Sequence, residues 1–310
     1  MSQKGKFRLV TRNDFDGLVC AVLLKHLDLI EEIKFVHPKD MQDSTVDVNY
    51  SDITTNVPYS KRVHLAFDHH LAESIRVGKH DNHIVDPDAQ SAARVVFKHY
   101  GGASAFPASF EAMVAAVDQG DSGNFTRDEI LNPTGWALLS FLMDPRTGLA
   151  RFKSFSKSDY KLKMELIAFC RTHNIAEILE LPDIKERVSL YAEHDGKFKE
   201  QLRRCSKVHG NLVVLDLRRE ETIYIGNRFM IYALYPDCNI SIQVHWGVET
   251  KDTVLAVGKS ILNRTSKTNV GPLVAEYGGG GHENAGTCQV DSNKAESVLA
   301  ALIKRINADG

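Results

Sequence analysis

Cysteine is sparse and scattered. The five residues Cys20, Cys170, Cys205, Cys238 and Cys288 form no CxxC pair, which argues against a zinc knuckle or a disulfide framework and fits a reducing cytoplasm. Long apolar runs are lacking too. No stretch approaches the roughly 20 residues needed to span a bilayer, and the start Met1 to Lys6 has no apolar leader core, so neither membrane insertion nor secretion is expected. Neither charge sign dominates, since 40 acidic residues face 38 basic ones. A chain so balanced does not coat long duplex nucleic acid by bulk charge, and an anionic ligand has to be held by particular residues. Internal repeats and low-complexity tracts are absent, which excludes solenoid architectures.

At 310 residues the chain is long enough for two domains, each with its own core. A short strand pattern from Phe7 to Thr11 runs into the loop Asn13 to Gly17 and then into an apolar stretch of helical length, Leu18 to Leu29. Further strands are predicted at Ile33 to His37, Val46 to Tyr50 and Val63 to Asp68, with helices at Ser91 to Tyr100 and Phe110 to Val117. The expected fold class is therefore α/β, a doubly wound, mostly parallel sheet over 1–135. A charged helical connector over 136–206 follows, and Val- and Ile-rich strands from Asn211 mark a smaller α/β domain over 207–310. Ligands gather at the carboxyl ends of strands in such sheets. On these strand limits Asp14, Asp16, Asp52 and Asp68 all occupy such ends.

Asp68-His69-His70 is the most specific signal in the first half. A carboxylate and an imidazole leaving a strand end together can bind one divalent ion while the neighbouring imidazole meets substrate. Alone, the triplet would more often be a polar turn. Its company changes that reading. Asn13-Asp14-Phe15-Asp16-Gly17 sets two carboxylates one residue apart beside a turn, a pattern that by itself could be a helix cap. Two carboxylates ~4 Å apart repel by about 4 kcal/mol at an effective dielectric of ~20. Adding Asp52, Asp68 and Asp118 raises that penalty, and bound cations relieve it. Oxygen-rich donors with one or two imidazoles suit Mn²⁺ or Mg²⁺.

In this order Asp14-Phe15-Asp16-Gly17, Asp52, Asp68-His69-His70 and Asp118 resemble the four motifs of the DHH phosphoesterases. Tyr277-Gly278-Gly279-Gly280-Gly281-His282-Glu283-Asn284-Ala285-Gly286 is similar to the glycine-rich signature of the DHHA1 domain that accompanies them. The resemblance spans nearly the whole chain and is nearest to the nanoRNA-degrading oligoribonuclease and exopolyphosphatase-like branch. It implies two ions, Mn²⁺ or Mg²⁺. Asp14 would ligate the first and Asp16 the second, Asp52 would bridge them, and His69 and Asp118 would complete the second site. His70 would face the scissile phosphate as an acid, with Asp68 beside it as a catalytic or orienting group. Asp121 is the rival of Asp118. Most relatives carry His where this chain has Arg12, which cannot ligate a metal. Arg12 either pairs with a nearby carboxylate, leaving the first site weaker, or reaches a substrate phosphate.

For the second domain the resemblance implies a phosphate-end pocket from Gly279, Gly280, Gly281 and His282, with Arg264 and, more weakly, Arg228 before a short helical run. Closure of a cleft between the domains would complete catalysis, and the metals would lower the pKa of an attacking water. The expected function is a divalent-metal-dependent phosphodiesterase for short oligonucleotides or linear dinucleotides. Polyphosphate, 3′,5′-bisphosphates and a non-enzymatic nucleotide sensor are the alternatives. Assembly as a homodimer is left open.

Overall fold

The computed structural model describes residues 6–152, 155–247 and 250–310. Met1 to Gly5, where the sequence offers no leader core, lie outside the described residues. The chain divides into two compact units, Met1–Asn124 with Thr134–Ser189 and Phe125–Pro133 with Leu190–Gly310. The stretch 136–206 is thus shared between them.

In chain order the elements are β1 (Phe7–Arg12), α1 (Phe15–His26), β2 (Ile30–Val36), α2 (Pro38–Gln42), β3 (Asp52–Thr55), β4 (Leu65–Asp68), α3 (Leu71–Val77), β5 (His83–Val85), α4 (Ala92–His99) and α5 (Ala108–Ser122). Next come α6 (Arg127–Leu131), which belongs to the second unit, then α7 (Gly135–Met143), α8 (Asp159–Phe169), α9 (Ile175–Leu179) and α10 (Pro182–Cys205). The first unit holds a five-stranded sheet of order β2-β1-β3-β4-β5, parallel throughout. The winding reverses between β1 and β3, and the crevice beyond the carboxyl ends at such a switch point is where doubly wound sheets take their ligands. Helix α1 follows directly from β1. It is buried from Phe15 to Leu24, because a helix apolar all round belongs inside a core, and it packs against α4, α5 and α8.

One strand lies elsewhere than the sequence predicts. Among the described residues Val46 to Tyr50 joins no strand ladder, although Val46 and Val48 are buried with Val10, Val36, Met41, Val57, Val63 and Ala66. Their alternation comes from one-sided packing of a loop. The true strand begins at Asp52, whose partner in register is Arg8. Asp52 therefore sits at the amino end of β3, and the expectation that places it at a carboxyl end is corrected.

The second unit adds β6 (Ser206–His209), β7 (Leu212–Asp216), α11 (Met230–Leu234), β8 (Ile240–Trp246), β9 (Asp252–Lys259), α12 (Val270–Ala275), β10 (Gly280–Gly281), β11 (Ala285–Asp291) and α13 (Ala295–Asp309). They form a six-stranded mixed sheet, β10-β11-β9-β8-β7-β6, in which only β7 and β8 run parallel among the described strands. Val270, Leu273 and Val274 of α12 and Leu299, Leu302 and Ile306 of α13 close its core over Ile240, Ile242, Val244, Leu255 and Val257. Among the described residues no helix is long and apolar enough to cross a membrane.

Next to the strand that carries Asp68, His83 of β5 stacks on Tyr59 with ring centroids 4.4 Å apart. Both its ring nitrogens are buried without a hydrogen-bond partner. Burial pushes its pKa below 6.5, against the pull of Asp68 and Glu73 and with help from His80 and Arg76. A histidine held neutral in this way contributes stability that is complete above the unfolded value near 6.5 and is lost as pH falls through the lower folded value. His83→Phe keeps the stack and removes the titration. The urea midpoint of the variant should therefore fall less between pH 7.5 and 5.5 than that of the wild type. Equal losses would show that His83 does not take up a proton on unfolding.

Candidate metal centre

The site begins where β1 meets α1. Asp14 is the extended residue before the helix, and its Oδ1 accepts a hydrogen bond from the Gly17 N–H at 3.0 Å, satisfying one of the first-turn donors. The turn admits only glycine at 17, because a Cβ there would lie 2.0 Å from the Arg12 carbonyl oxygen and 2.7 Å from Thr11 Oγ1. Thr11 in turn donates to the Thr55 carbonyl at 3.1 Å and accepts from Thr55 Oγ1 at 2.7 Å, fastening β1 to β3 at the switch point. From α8 the buried Lys163 donates to Asn13 Oδ1 at 2.9 Å and pairs with Asp159 at 3.0 Å. The loop is held from both sides.

Asp16, in the first turn of α1, points at the start of α4. Its oxygens accept from the backbone N–H of Ala93 at 2.7 Å and of Ala92 at 3.0 Å, so a helix N-terminus receives a carboxylate. Even so, burial pushes the Asp16 carboxyl up to about 7, and Asp14 adds to the shift. On β4, Asp68 folds back on its own turn. Its Oδ1 accepts from the His69 N–H at 2.8 Å and lies 2.7 Å from His70 Nδ1. That pair raises the His70 pKa, whereas burial and then the charge of His70 lower His69 to about 4. His69 is consequently a neutral imidazole at physiological pH, the form a metal requires.

The structure brings Asp16, His69 and Asp121 together, with one donor atom of each within 4.8 Å of the others. Asp121 Oδ2 stands 4.0 Å from His69 Nε2, and 30% of its side chain is open to solvent. Its carboxyl is pushed well above the usual range, by desolvation first and then by Asp16 and Asp14. Asp118, one helical turn earlier on α5, is spent elsewhere. It accepts from Ser91 Oγ at 2.7 Å and from Arg94 at 2.7 Å, which locks α5 to the start of α4. Asp52 is likewise taken, by Arg8 at 2.7 Å and by the Asn49 N–H at 2.7 Å. In this structure both residues are thus engaged with protein partners.

The residue at the carboxyl end of β3 is Asn56. Thr55 pairs with Thr11 on one side and with Phe67 on the other, so the following residue stands between Arg12 and Asp68. Asn56 is 3% exposed, adopts φ 53°, and its buried Oδ1 has no hydrogen-bond partner. A buried amide oxygen left unpaired costs roughly 1–3 kcal/mol unless something else fills its lone pairs. Two carboxylates and a neutral imidazole converging within 4.8 Å make a donor set that fits a divalent ion of the Mn²⁺ or Mg²⁺ kind. Misplacing β3 hid Asn56 from the sequence. Asp121, named from the sequence as the rival of Asp118, lies on the same helix, since α5 continues to Ser122. Arg146, held at 2.8 Å by Asp144 and close enough to Asp14 and Asp121 to feel their charge, and Lys163 carried no motif that would have drawn notice.

In the second unit the glycine-rich turn is a tight hairpin. A Cβ on Gly279 would lie 2.3 Å from the Thr287 carbonyl oxygen, and one on Gly281 would lie 2.4 Å from that of Ala285. His282, exposed, donates its N–H to Ala285 at 2.7 Å, while Gly280 faces open space. Arg264 donates Nε to the Ile261 carbonyl at 3.0 Å, and the Arg228 guanidinium stacks 4.1 Å from the Phe229 ring.

Over 98% of this chain and 100% of the other, the structure is similar to the pGpG-specific phosphodiesterase PggH from Vibrio cholerae, with a TM-score of 0.87 and 58% sequence identity. The chain belongs to the DHH phosphoesterase family. Such enzymes depend on divalent metal ions, and this member is a phosphodiesterase. RecJ from Thermus thermophilus, solved in complex with Mg²⁺, shares the fold at a TM-score of 0.53 and 15% identity, over 98% of this chain and 50% of that one. No family model matches the chain. No curated protein does either.

Asp118 and Asp121 should respond in opposite ways to loss of charge. In chelator, Asp118→Asn strips Arg94 of a carboxylate partner and should cost about 1–3 kcal/mol. The fold raises the Asp121 pKa, so keeping that carboxyl in place costs stability at every pH above its ordinary value. Asp121→Asn removes the cost and should raise the melting temperature rather than lower it. Thermal melts of both variants without metal decide the matter, and a stabilised Asp118→Asn would contradict the network drawn here.

Proposed function

We propose that this chain hydrolyses pGpG, a linear dinucleotide, to two molecules of GMP in a divalent-metal-dependent reaction. The full-length similarity to a pGpG-specific phosphodiesterase at 58% identity carries the reading. Of the substrates left open by the sequence, a short linear dinucleotide is the one that similarity supports, ahead of longer oligonucleotides, polyphosphate and 3′,5′-bisphosphates. The free, mostly buried cysteines suit a cytoplasmic enzyme.

In this reading Asp16, His69, Asp121 and Asn56 hold the ion, and Asp118 and Asp52 are structural. The ion, when bound, lowers the pKa of a water and neutralises charge on the phosphate. Everything else falls to the protein. Asp68 orients His70 by accepting a hydrogen bond from Nδ1, and that hydrogen bond, with the carboxylate's charge, raises the pKa of the ring. Nε2 can then give a proton to the 3′ oxygen as the P–O3′ bond breaks and the water oxygen joins phosphorus. Lys163 and Gly17 hold the Asp14–Asp16 turn in place, so the ligands need little reorganisation. His282, Arg264 and the glycine hairpin are assigned to the phosphate or base at the far end of the substrate.

Hydrolysis of pGpG, a pentanucleotide, polyphosphate and a 3′,5′-bisphosphate should be compared with Mn²⁺ present. pGpG should be preferred, and a faster turnover of any of the others would overturn the substrate assignment. In the same assay His69→Ala should lower kcat/KM by more than about 100-fold, the loss usual for disturbing a metal site. His70→Ala should lower kcat by roughly 10²–10⁴ with Mn²⁺ binding retained. Near-normal rates in either variant would refute the roles given.

A further inference from the structure

Of the carboxylates around the site, all but two are held at 2.7–2.9 Å by an arginine or by His70. Arg12 Nε lies 2.9 Å from Asp14 Oδ2, His70 Nδ1 lies 2.7 Å from Asp68, Arg94 holds Asp118 at 2.7 Å, and Arg8 holds Asp52 at 2.7 Å. Among the described residues, neither Asp16 nor Asp121 pairs with lysine or arginine. Those two negative charges, converging with His69, match the charge of a single divalent ion.

A second ion nearby would need two things the chain does not provide. Dications ~3.5–4 Å apart are held by anionic oxygens that both can share. The residue between the ends of β1 and β4 is Asn56, a neutral amide with one acceptor oxygen, and the acid of the same strand, Asp52, is at the other end with Arg8. Arg12 supplies the other obstacle. Its guanidinium stays charged at any pH a protein meets, and it already covers Asp14 Oδ2, while Asp14 Oδ1 caps Gly17.

We infer that this chain holds one divalent ion, between Asp16, His69 and Asp121, and that the guanidinium of Arg12 on Asp14 stands in the place of a second. The inference rests on the metal-dependent reading above and deepens it. Arg12 is then a built-in cation, present without any metal in solution and able to face a substrate phosphate with its remaining donors.

The test is the stoichiometry of Mn²⁺ on the full chain, read by native mass spectrometry and by calorimetric titration. The wild type should take up one ion per chain. His69→Ala should weaken that ion by at least tenfold. The paired change Arg12→His with Asn56→Asp supplies an imidazole and a bridging carboxylate, and should raise the count to two. Two ions on the wild type would overturn the inference while leaving the proposed function standing, whereas no ion at all would overturn both. A folded double variant that still takes up one ion would show that Arg12 and Asn56 are not what excludes the second. Should that variant fail to fold, the wild-type count decides alone.

Discussion

The carboxylate of Asp16 on the first two N–H groups of α4 is the contact on which the catalytic unit depends. It joins the turn after β1 to the helix after β5 across the switch point of the sheet, between residues far apart in sequence. Two backbone hydrogen bonds and a helix dipole favour the charge, yet full burial beside Asp14 holds its pKa near 7. The helix fixes the position of the charge without fully compensating it. The proposed cation would complete the balance, for Asp121 as well as for Asp16.

Around that contact the rest of the unit works as a frame. Ser91 begins α4, donates to Asp118, and accepts from the Arg94 N–H, so the helix that receives Asp16 is itself pinned to α5. Asp118 gives stability by being paired, and Asp121, three residues on, costs stability by being crowded. Two acids on one helix face thus have opposite energetic signs. That division is common where function is stored as strain and offset by well-satisfied neighbours.

Much of this was legible in the sequence. The alternation of strands and helices gave the parallel sheet, and the Asp-x-Asp-Gly and Asp-His-His runs marked the turns that carry the site. What could not be read there was geometry a residue or two beyond the motifs. Val46 and Val48 alternate as a strand does, but they pack from a loop, and the true strand at Asp52 carries its acid into the register of Arg8, away from the carboxyl end. Asn56 has no signature of its own. Its buried, unpaired oxygen is a feature that only three-dimensional packing reveals. That Asp118 is engaged by Arg94, 24 residues earlier in the chain, was likewise not visible in the sequence.

The central claim, that Asp16, His69 and Asp121 with the Asn56 oxygen form the ion site, is open to one direct measurement. Crystals soaked in Mn²⁺ and recorded near the manganese absorption edge give an anomalous difference map that locates the ion without assumption. The account predicts a single strong peak within about 2.0–2.3 Å of donor atoms from Asp16, His69 and Asp121. A peak against Asp118 or Asp52, or one on Asp14 with Arg12 displaced, would contradict it.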